Sequence, residues 1–449
     1  MKIIQVPFCF YPDPVGGTEV YVEALAQHLK NFNVDVSVAA PGNESVSYVH
    51  NGIKVNRFGV FPSRLSLRDF YGQGDPLAAQ SFAHILNKEK PDIVHLHAFT
   101  SGVSVKLIEE AKKRKIRVFF TYHTPTVSCQ QGTLIRWGKK VCDGKLRLGV
   151  CSACTLHGLG LNKNAAWIVG HLPKMTGRMI GRLGFSGRFF TALRMTELVE
   201  LKHHSFRKLV SQVDHIIAVS QWVKDVLIIN GAPLDKITLC RQGVGQSGPQ
   251  DDQPRYIQNS CDGIKLIFLG RSHPNKGIDL LIKAMQLKPT LKIKLDIYGV
   301  SDNDSNGAYI NQLQQLAKND FRISFCKPVN SDRILHILKQ YDFLMVPSLW
   351  LETGPLVVFE AFAAGLPVIG SDRGGIAELV KDGRDGLLVD PDSISAWAAV
   401  LQRVHDDPDL RERLRFGVVR PRTMREVAEQ MMSLYLQKLQ VVSNINASE

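Results

Sequence analysis

Two hydrophobic patterns alternate along this chain of 449 residues. Short, nearly continuous apolar runs indicate buried strands, whereas apolar residues spaced three and four positions apart indicate helices. In the first half the predicted strands are KIIQV, DVSVAA, DIVHLH, VFFTYH and HIIAVS, and the predicted helices include TEVYVEALAQHLKNF and SVKLIEEAKKRK. This alternation predicts a parallel sheet that is covered by helices on both faces.

A polar stretch at residues 246–263, QSGPQDDQPRYIQNSCDG, interrupts the alternation and predicts a linker. The pattern then restarts with the strands IKLIFLG, IKLDIYG, RISFCK, DFLMVPS, LPVIGSD and DGLLVDP. We therefore predict an α/β fold with two doubly wound, Rossmann-like domains at residues 1–250 and 260–420. Ligands of such sheets bind at the carboxyl ends of the strands, so a cleft with the two domains facing across it is the expected site.

The composition is that of an ordinary globular protein, with 44% hydrophobic and 22% charged residues. No apolar run is long enough to span a bilayer, and the first residues do not have the pattern of a secretion signal, which favours a cytoplasmic location. The formal net charge of +13 favours an anionic partner, which could be a nucleotide, a phospholipid surface or a nucleic acid.

Most of this charge is concentrated in one segment. Residues 126–208 contain fourteen Lys and Arg against three acidic residues, together with four of the eight cysteines, and we predict that they form an insertion in the first domain. Cys129, Cys142, Cys151 and Cys154 are spaced C-x12-C-x8-C-x2-C, which indicates a structural zinc site. An iron–sulfur cluster is the alternative metal centre, and four free thiols are the alternative without a metal.

The same segment interleaves basic and aromatic residues. The run AAWIVGHLPKMTGRMIGRLGFSGRFFTALRM, at residues 165–195, places Lys and Arg among Trp167, Phe185, Phe189 and Phe190. Such a mixture suits the headgroup layer of an anionic membrane, and we predict peripheral contact with its inner face. The alternative is a surface insertion with a partly apolar underside.

Two acidic residues stand in the most apolar part of the second half, PSLWLETGPLVVFEAFAAGLPVIG. A carboxylate is rarely buried without a partner, so the two acids either face water or bind a ligand. Pro355 suits the first turn of a helix, which places Glu352 on the loop after a strand and Glu360 inside the helix. The amides at the start of that helix form an anion site, and acids on both sides of it suit a nucleotide sugar.

Basic residues are predicted at the same end of the second sheet. FLGRSHPNKGIDLLIKAM follows the first strand of the second domain and supplies Arg271 and Lys276 on its loop. A guanidinium fork and an ammonium group are both suited to binding phosphate. The alternatives are ordinary surface charges for these two residues, a solvated loop acid for Glu352 and a helix acid paired with an Arg for Glu360.

These motifs together resemble the family-four retaining glycosyltransferases, whose two-domain fold is called GT-B. The resemblance rests on the E-x7-E pattern in ETGPLVVFEAFAAGLPVI and on GRSHPNKG, SDRGGIAELVKDGRDGLLV, PVGGTEVYVEALAQHL, PDIVHLH and IIAVSQWVKDVL. It covers nearly the whole chain outside residues 126–208. One departure is QGVG at residues 242–245, where the family often has N-G-V-D.

The resemblance implies a role for each of these residues. Glu360 would bind the ribose hydroxyls and Glu352 the transferred sugar, while Arg271 and Lys276 would hold the diphosphate. His123 in FFTYHTP would lie near the reacting sugar, unless it is a structural histidine. The other residues that the resemblance assigns to the donor pocket are Gly16, Gly17, Gly354, Pro355 and Leu356; for the first two glycines, a plain tight turn is the alternative.

The resemblance also implies the reaction and its partners. These are a nucleotide-diphosphate sugar donor, a glycan or lipid-linked acceptor, retention of anomeric configuration, and a place in cell-surface polysaccharide or glycolipid synthesis. No catalytic metal and no nucleic acid are expected, and Asp302 and Asp304 in SDNDSNG predict a turn rather than a metal site. A C-terminal helix at residues 421–449 would return to the first domain. The alternatives are a non-catalytic sugar- or nucleic-acid-binding protein, or a GT-B enzyme such as a glycoside phosphorylase or an epimerase.

Overall fold

The computed structural model describes residues 1–60, 62–245, 263–299 and 307–446. Nearly all of the predicted linker, residues 246–262, lies outside the described residues, and so do Asp302 and Asp304. The chain divides into two compact units. The first contains Met1–Arg241 and Met424–Glu449, and the second contains Gln242–Thr423.

The first unit is built on an eight-stranded sheet with the strand order β10-β9-β6-β5-β1-β2-β4-β3. All neighbouring strands are parallel except β3 and β4, which form an antiparallel pair at one edge. The strands are β1 (Lys2–Val6), β2 (Asp35–Gly42), β3 (Ser47–His50), β4 (Ile53–Gly59), β5 (Ile93–Leu96), β6 (Arg117–Tyr122), β9 (His215–Ala218) and β10 (Ile237–Leu239). Each strand that the sequence predicts in this half forms.

Helices cover both faces of this sheet and bury two apolar clusters against it. They are α1 (Gly17–Lys30), α2 (Pro76–Glu89), α3 (Val105–Lys113), α8 (Met195–Gln212) and α9 (Gln221–Ile229). The apolar residues of α1 recur at helical spacing and face the sheet, because only that face can be removed from water at a gain in free energy.

The C-terminal helix α17 (Met424–Asn446) packs beside α1 in the first unit. Its buried residues recur at helical spacing and so form one apolar face, which packing removes from water. They are Met424, Val427, Ala428, Met431 and Tyr435.

Between β6 and β9 the chain forms a hairpin and four short helices before α8. These elements are β7 (Ile135–Arg136), β8 (Lys140–Val141), α4 (Leu148–Gly158), α5 (Lys163–Gly170), α6 (Lys174–Arg182) and α7 (Arg188–Leu193). The predicted insertion boundary at residue 208 falls inside α8, and Phe206 on that helix already belongs to the main apolar cluster of the first sheet. Within the described ranges we find no helix with the length and apolar character of a membrane span.

The second unit has a six-stranded, fully parallel sheet with the order β13-β12-β11-β14-β15-β16. Its strands are β11 (Ile264–Leu269), β12 (Ile293–Tyr298), β13 (Ile323–Cys326), β14 (Phe343–Val346), β15 (Val368–Ser371) and β16 (Gly386–Val389). Its helices are α10 (Ile278–Gln286), α11 (Gly307–Ala317), α12 (Ile334–Leu338), α13 (Leu356–Ala363), α14 (Gly374–Leu379), α15 (Ile394–Asp406) and α16 (Leu410–Gly417). Counted within the unit, the strand order is 3-2-1-4-5-6, which is the doubly wound order of nucleotide-binding sheets.

Candidate functional site

The strand order of the second unit reverses between its neighbouring strands β11 and β14. In open parallel sheets, the loops that leave the carboxyl ends of two such strands diverge and leave a crevice for a ligand. The loop after β11 carries Arg271 and Lys276, and the loop after β14 carries Glu352. The fold therefore brings residues that are about 80 positions apart in the chain to one end of one sheet.

Glu352 is the most heavily bonded residue of this group. Its Oε1 accepts hydrogen bonds from Lys276 Nζ at 2.6 Å, Trp350 Nε1 at 2.7 Å and Ser348 Oγ at 2.9 Å. Burial opposes ionisation of Glu352, but the charge and hydrogen bond of Lys276 and the two neutral donors outweigh burial, so the pKa of Glu352 lies below its ordinary value. Glu352 is thus held as a buried, ionised carboxylate.

Two of the three donors to Glu352 belong to residues that no sequence motif indicated. Ser348 and Trp350 stand on the same loop as Glu352, so their closeness in the chain was the available signal. Lys276 was predicted as a phosphate ligand, and the structure shows it in an ion pair with Glu352. An ammonium group has three donors, so this ion pair leaves Lys276 able to bind a phosphate oxygen as well.

Close backbone packing holds the loop of Glu352 in place. Gly277 has φ of +70°, and a Cβ there would overlap the carbonyl oxygen of Pro347. Gly375 donates its N–H to the carbonyl oxygen of Glu352 at 2.6 Å, and Arg373 donates to the carbonyl oxygen of Leu349 at 2.6 Å. The loop is therefore fixed from both sides by segments of the GRSHPNKG and SDRGG motifs.

Glu360 has a different environment. It lies in the second turn of α13, whose N-cap is Pro355. Within the described ranges no hydrogen bond or ion pair to its carboxyl group is found, and burial raises the pKa of Glu360 to about 7. A partly buried acid without a protein partner is a group whose acceptor capacity is open to a ligand.

The remaining predicted residues of the second unit are placed as follows. Arg271 is exposed on the loop after β11. Gly354 and Leu356 are partly buried, and Pro355 is buried. A Cβ on Gly354 would overlap the side-chain amide of Gln242, so Gln242 packs directly against the loop that leads into α13.

The first sheet reverses its strand order between β1 and β5. Gly16 and Gly17 lie where the loop after β1 becomes α1: Gly16 is the N-cap, and its N–H donates to Glu19 Oε2 at 2.9 Å. A Cβ on Gly16 would stand 3.4 Å from the same carboxylate oxygen. Glu19 thereby caps the helix that these glycines begin.

Buried histidines occupy the same end of the first sheet. His97 Nδ1 lies 3.0 Å from His123 Nε2, and His97 Nε2 lies 2.6 Å from Gln5 Oε1. Burial lowers the pKa of His123 to about 3 and holds the pKa of His97 well below its ordinary value, so both rings are neutral. Since Gln5 Oε1 accepts a hydrogen bond from His97 Nε2, the N–H of His123 Nε2 donates to His97 Nδ1.

The C-terminal helix reaches this cluster. Tyr435 Oη lies 2.5 Å from His95 Nδ1, and Gln5 Nε2 donates to the same hydroxyl at 3.4 Å. The distance of 340 residues between His95 and Tyr435 explains why no local sequence signal pointed to this contact.

The four cysteines of the basic segment line one small cavity of about 40 Å³, together with His203. Cys151 and Cys154 lie on α4, Cys129 precedes the β7–β8 hairpin and Cys142 follows it. Burial raises the pKa of Cys151 to about 11. In the part of the chain that the structure describes, no group of three or more His, Cys, Asp or Glu is placed to hold a metal ion, so the predicted zinc or iron–sulfur centre is not shown.

A larger cavity, of about 580 Å³, lies elsewhere on the first unit and contains none of the predicted site residues. Its lining includes Ser47 and Asn56 of the β3–β4 pair and Gln80 and His84 of α2. The strand-order reversals, together with the bonding of Glu352 in the second unit and of His123 in the first, rather than cavity size, therefore identify the candidate residues of each unit.

Two family models match the chain. The model described as "Glycosyltransferase Family 4" matches residues 15–245, and "Glycosyl transferases group 1" matches residues 250–416. The first model alone spans more than half of the chain. The matched regions contain Gly16, Gly17 and His123 in the first unit, and both glutamates and both basic residues in the second.

Two proteins of similar sequence have the same functional name. A D-inositol 3-phosphate glycosyltransferase from Thermomonospora curvata is 28% identical over 430 residues, covering 90% of this chain and 86% of the relative. A D-inositol 3-phosphate glycosyltransferase from Catenulispora acidiphila is 29% identical over 423 residues, covering 88% and 84%.

Solved structures of glycosyltransferases share the fold. A sucrose-phosphate synthase from Thermosynechococcus elongatus superposes with a TM-score of 0.63 at 19% identity, covering 100% of both chains. HepE from Anabaena, in complex with UDP and glucose, superposes with a TM-score of 0.61 at 16% identity, covering 97% of this chain and 99% of HepE. With the family models and the two doubly wound sheets, this shows that the chain belongs to glycosyltransferase family 4 and has the GT-B fold.

Proposed function

We propose that this enzyme transfers a hexose from a nucleotide-diphosphate sugar to a glycan or lipid-linked acceptor with retention of anomeric configuration, in cell-surface polysaccharide or glycolipid synthesis. The observation that carries the donor side is the pair of loops at the strand-order reversal of the second sheet, where Lys276 and Glu352 are joined at 2.6 Å. UDP-glucose is the first donor to test, because HepE is similar in fold and was solved with UDP and glucose.

The proposed roles follow the environments of the two acids. Glu360, with an open acceptor group, binds the ribose hydroxyls. Glu352, which is held ionised by three donors, positions the hydroxyls of the transferred sugar. Gly354, Pro355 and Leu356 line the pocket beside them, at the start of α13, where backbone amides favour an anion.

The charge that develops during the reaction lies on the leaving diphosphate. The bond between the anomeric carbon and the phosphate oxygen breaks, the acceptor oxygen bonds to the same face of that carbon, and the acceptor's proton goes to the departing phosphate oxygen. Arg271 and Lys276 stabilise the leaving group, and removing one such group costs roughly 3–4 kcal/mol of barrier. This leaves no step that requires a catalytic metal.

The first unit is proposed to serve the acceptor side. Gly16 and Gly17, which present backbone without side chains, are proposed to contact the donor, and His123, which is neutral with Nε2–H donating to His97, is proposed to act beside the reacting sugar. A neutral imidazole contributes a hydrogen bond without adding a charge to the site. We place the enzyme in the cytoplasm, where it is either free or peripheral on the inner face of the membrane.

The zinc proposal rests on the spacing of Cys129, Cys142, Cys151 and Cys154 and on the fact that they line one cavity. The metal would tie the β7–β8 hairpin to α4 and have no part in the reaction. Elemental analysis of the purified chain decides between zinc, an iron–sulfur cluster and free thiols.

Binding and turnover of single variants test the donor site. We expect Glu360→Ala to weaken UDP-glucose binding by about tenfold or more, since a charge-assisted hydrogen bond contributes about 1.5–3 kcal/mol. Arg271→Ala and Lys276→Ala should chiefly lower turnover at saturating donor, because their charges matter most as the leaving group forms. Isothermal calorimetry and donor-hydrolysis rates measure the two effects.

The matched control is Asp332→Asn, an exposed acid of the same unit outside both loops. Donor affinity in Glu360→Ala equal to that of Asp332→Asn would contradict the ribose assignment. Donor cleavage that depends on added inorganic phosphate would instead identify a phosphorylase.

A further inference from the structure

The helices α5, α6 and α7, and the turn between α6 and α7, present large apolar side chains to solvent. Those that are roughly half or more exposed are Trp167, Ile168, Met175, Met179, Leu183, Phe185 and Phe189, with exposed fractions from 48% for Phe185 to 69% for Ile168 and Phe189. Monomeric proteins rarely expose so many large apolar side chains within one short segment unless the surface has a partner.

In α6 the exposed face lies opposite the packed face. A Cβ on Gly177 or Gly181 would meet Arg194, so these two glycines, four residues apart, face the start of α8. At 100° per residue, Met175 and Met179 point to the opposite side of the helix. They are 52% and 60% exposed, as this geometry requires.

The neighbouring helix α5 also has a packed face of small residues and an exposed face with a large apolar residue. Ala166 and Gly170 are buried and four residues apart, and a Cβ on Gly170 would overlap Ala153 of α4. Ile168 lies half a turn from both and is 69% exposed. Each helix therefore packs a face of small residues inward and holds large apolar residues outward, and both helices contact α7.

The charged residues of this surface are all basic. Residues 163–193 contain Lys163, Lys174, Arg178, Arg182 and Arg188 and no acidic residue. Lys174 and Arg178 pair with Glu200 of α8, which anchors α6. Within the described ranges no ion pair is found for Arg182 or Arg188, so their charges are available to an anionic partner.

We propose that α5–α7 form a docking surface for an anionic lipid membrane, with the apolar residues inserted at the boundary of headgroups and acyl chains. Lipid phosphates attract juxtamembrane basic residues, and the interface accepts aromatic and aliphatic side chains beside them. A membrane is favoured over a protein because the apolar residues protrude from three short helices that all carry the same charge. The inference does not depend on the donor site, so it can fail without affecting the proposed function.

Flotation of the full chain with lipid vesicles tests the proposal. We expect binding to vesicles of phosphatidylcholine with phosphatidylglycerol, and weaker binding as salt is raised. The triple variant Ile168→Ser, Met179→Ser, Phe189→Ser should lose at least tenfold in partitioning. The double variant Arg182→Glu, Arg188→Glu should lose binding to the anionic vesicles in low salt.

The control variants are Phe321→Ser with Phe416→Ser, which remove side chains that are 99% and 95% exposed in the second unit, and Lys318→Glu with Lys292→Glu, which reverse exposed charges there. Both controls should bind like the unaltered chain. Circular dichroism and urea unfolding confirm that every variant is folded.

Quenching of tryptophan fluorescence by brominated lipids gives a second readout. Insertion predicts quenching that the change Trp167→Phe reduces, whereas purely electrostatic attachment would leave fluorescence unquenched and overturn the insertion. No binding to phosphatidylglycerol vesicles in low salt would overturn the whole proposal. So would a vesicle-independent dimer that the triple variant converts to a monomer, since the face would then bind a second copy.

Discussion

At the scale of single residues, the two glutamates of the E-x7-E motif differ in their chemistry. Glu352 accepts three hydrogen bonds and its pKa is lowered, so its charge is permanent near neutral pH. Glu360 has no such partners in the described ranges, and its pKa is raised to about 7. Two glutamates that lie eight positions apart therefore differ in charge state. Glu352 is a fixed anion, whereas Glu360 titrates near physiological pH.

This difference predicts that donor binding depends on pH. If only ionised Glu360 accepts the ribose hydroxyls, affinity for UDP-glucose should rise as pH increases from 6 to 8, by up to about tenfold, because one unit below a pKa of about 7 leaves about a tenth of the carboxyl ionised. Calorimetry at pH 6, 7 and 8 measures this. The phosphates of a nucleotide sugar stay ionised over this range, so they do not contribute.

The neutral variant Glu360→Gln supplies the control for this experiment. It should bind weakly and equally at all three pH values. A wild-type affinity that stays constant from pH 6 to 8, or a Glu360→Gln variant that keeps the full pH dependence, would show that another group titrates.

At the scale of elements, the position of the Glu352 loop depends on a glycine in a different motif. Gly277 ends a short turn after β11 with φ of +70°, and its missing Cβ leaves room for the carbonyl oxygen of Pro347 at the end of β14. The N–H of Leu349 donates to the carbonyl oxygen of Asn275 at 2.8 Å, which joins the two loops directly.

A comparison of two glycines tests this dependence. Gly277 and Gly383 have nearly equal φ angles of +70° and +72°, but only Gly277 is crowded, since nothing lies within 4 Å of a Cβ at Gly383. Gly383→Ala should cost about 1–2 kcal/mol of stability for its backbone conformation alone and leave donor binding unchanged. Gly277→Ala should cost more and weaken donor binding, because the loop must move.

Urea unfolding and UDP-glucose calorimetry on both variants measure the two effects. Equal stability losses and equal donor affinities in the two variants would mean that the contact between Gly277 and Pro347 does not position the loop.

At the scale of the whole molecule, buried histidines make the first unit sensitive to acid. Burial lowers the pKa of His123 to about 3 and that of His215 to about 4, and His95 and His97 are also held well below their ordinary values. The unfolded chain binds protons at these residues below pH 6.5, whereas the folded chain does not. Stability should therefore be full above pH 6.5 and fall as pH drops toward 4, by up to about 1.4 kcal/mol per pH unit for each histidine.

Urea unfolding at pH 7.5, 6 and 5, with pulse proteolysis to separate the two units, checks this expectation. The variant His215→Gln should show a shallower pH dependence in the first unit, while His405→Gln, at a partly exposed position of the second unit, should not change it. A first unit with the same urea midpoint at pH 7.5 and pH 5 would show that these histidines are protonated without penalty.

The C-terminal helix illustrates what a sequence pattern can and cannot supply. The spacing of Met424, Val427, Met431 and Tyr435 identifies one apolar face, but an apolar face does not name its partner. Only the tertiary structure shows that this face packs with α1 and that the Tyr435 hydroxyl reaches His95.

The sequence alone determined the alternation of strands and helices and the family, because hydrophobic periodicity and the order of motifs are properties of local segments. It also placed Arg271, Lys276 and Glu352 on loops after strands, since strand ends are visible in the pattern. It could not assign the ion pair between Lys276 and Glu352, the neutral state of His123 or the raised pKa of Glu360. Those depend on distances and on the removal of water, and both arise only when the sheet brings distant loops together.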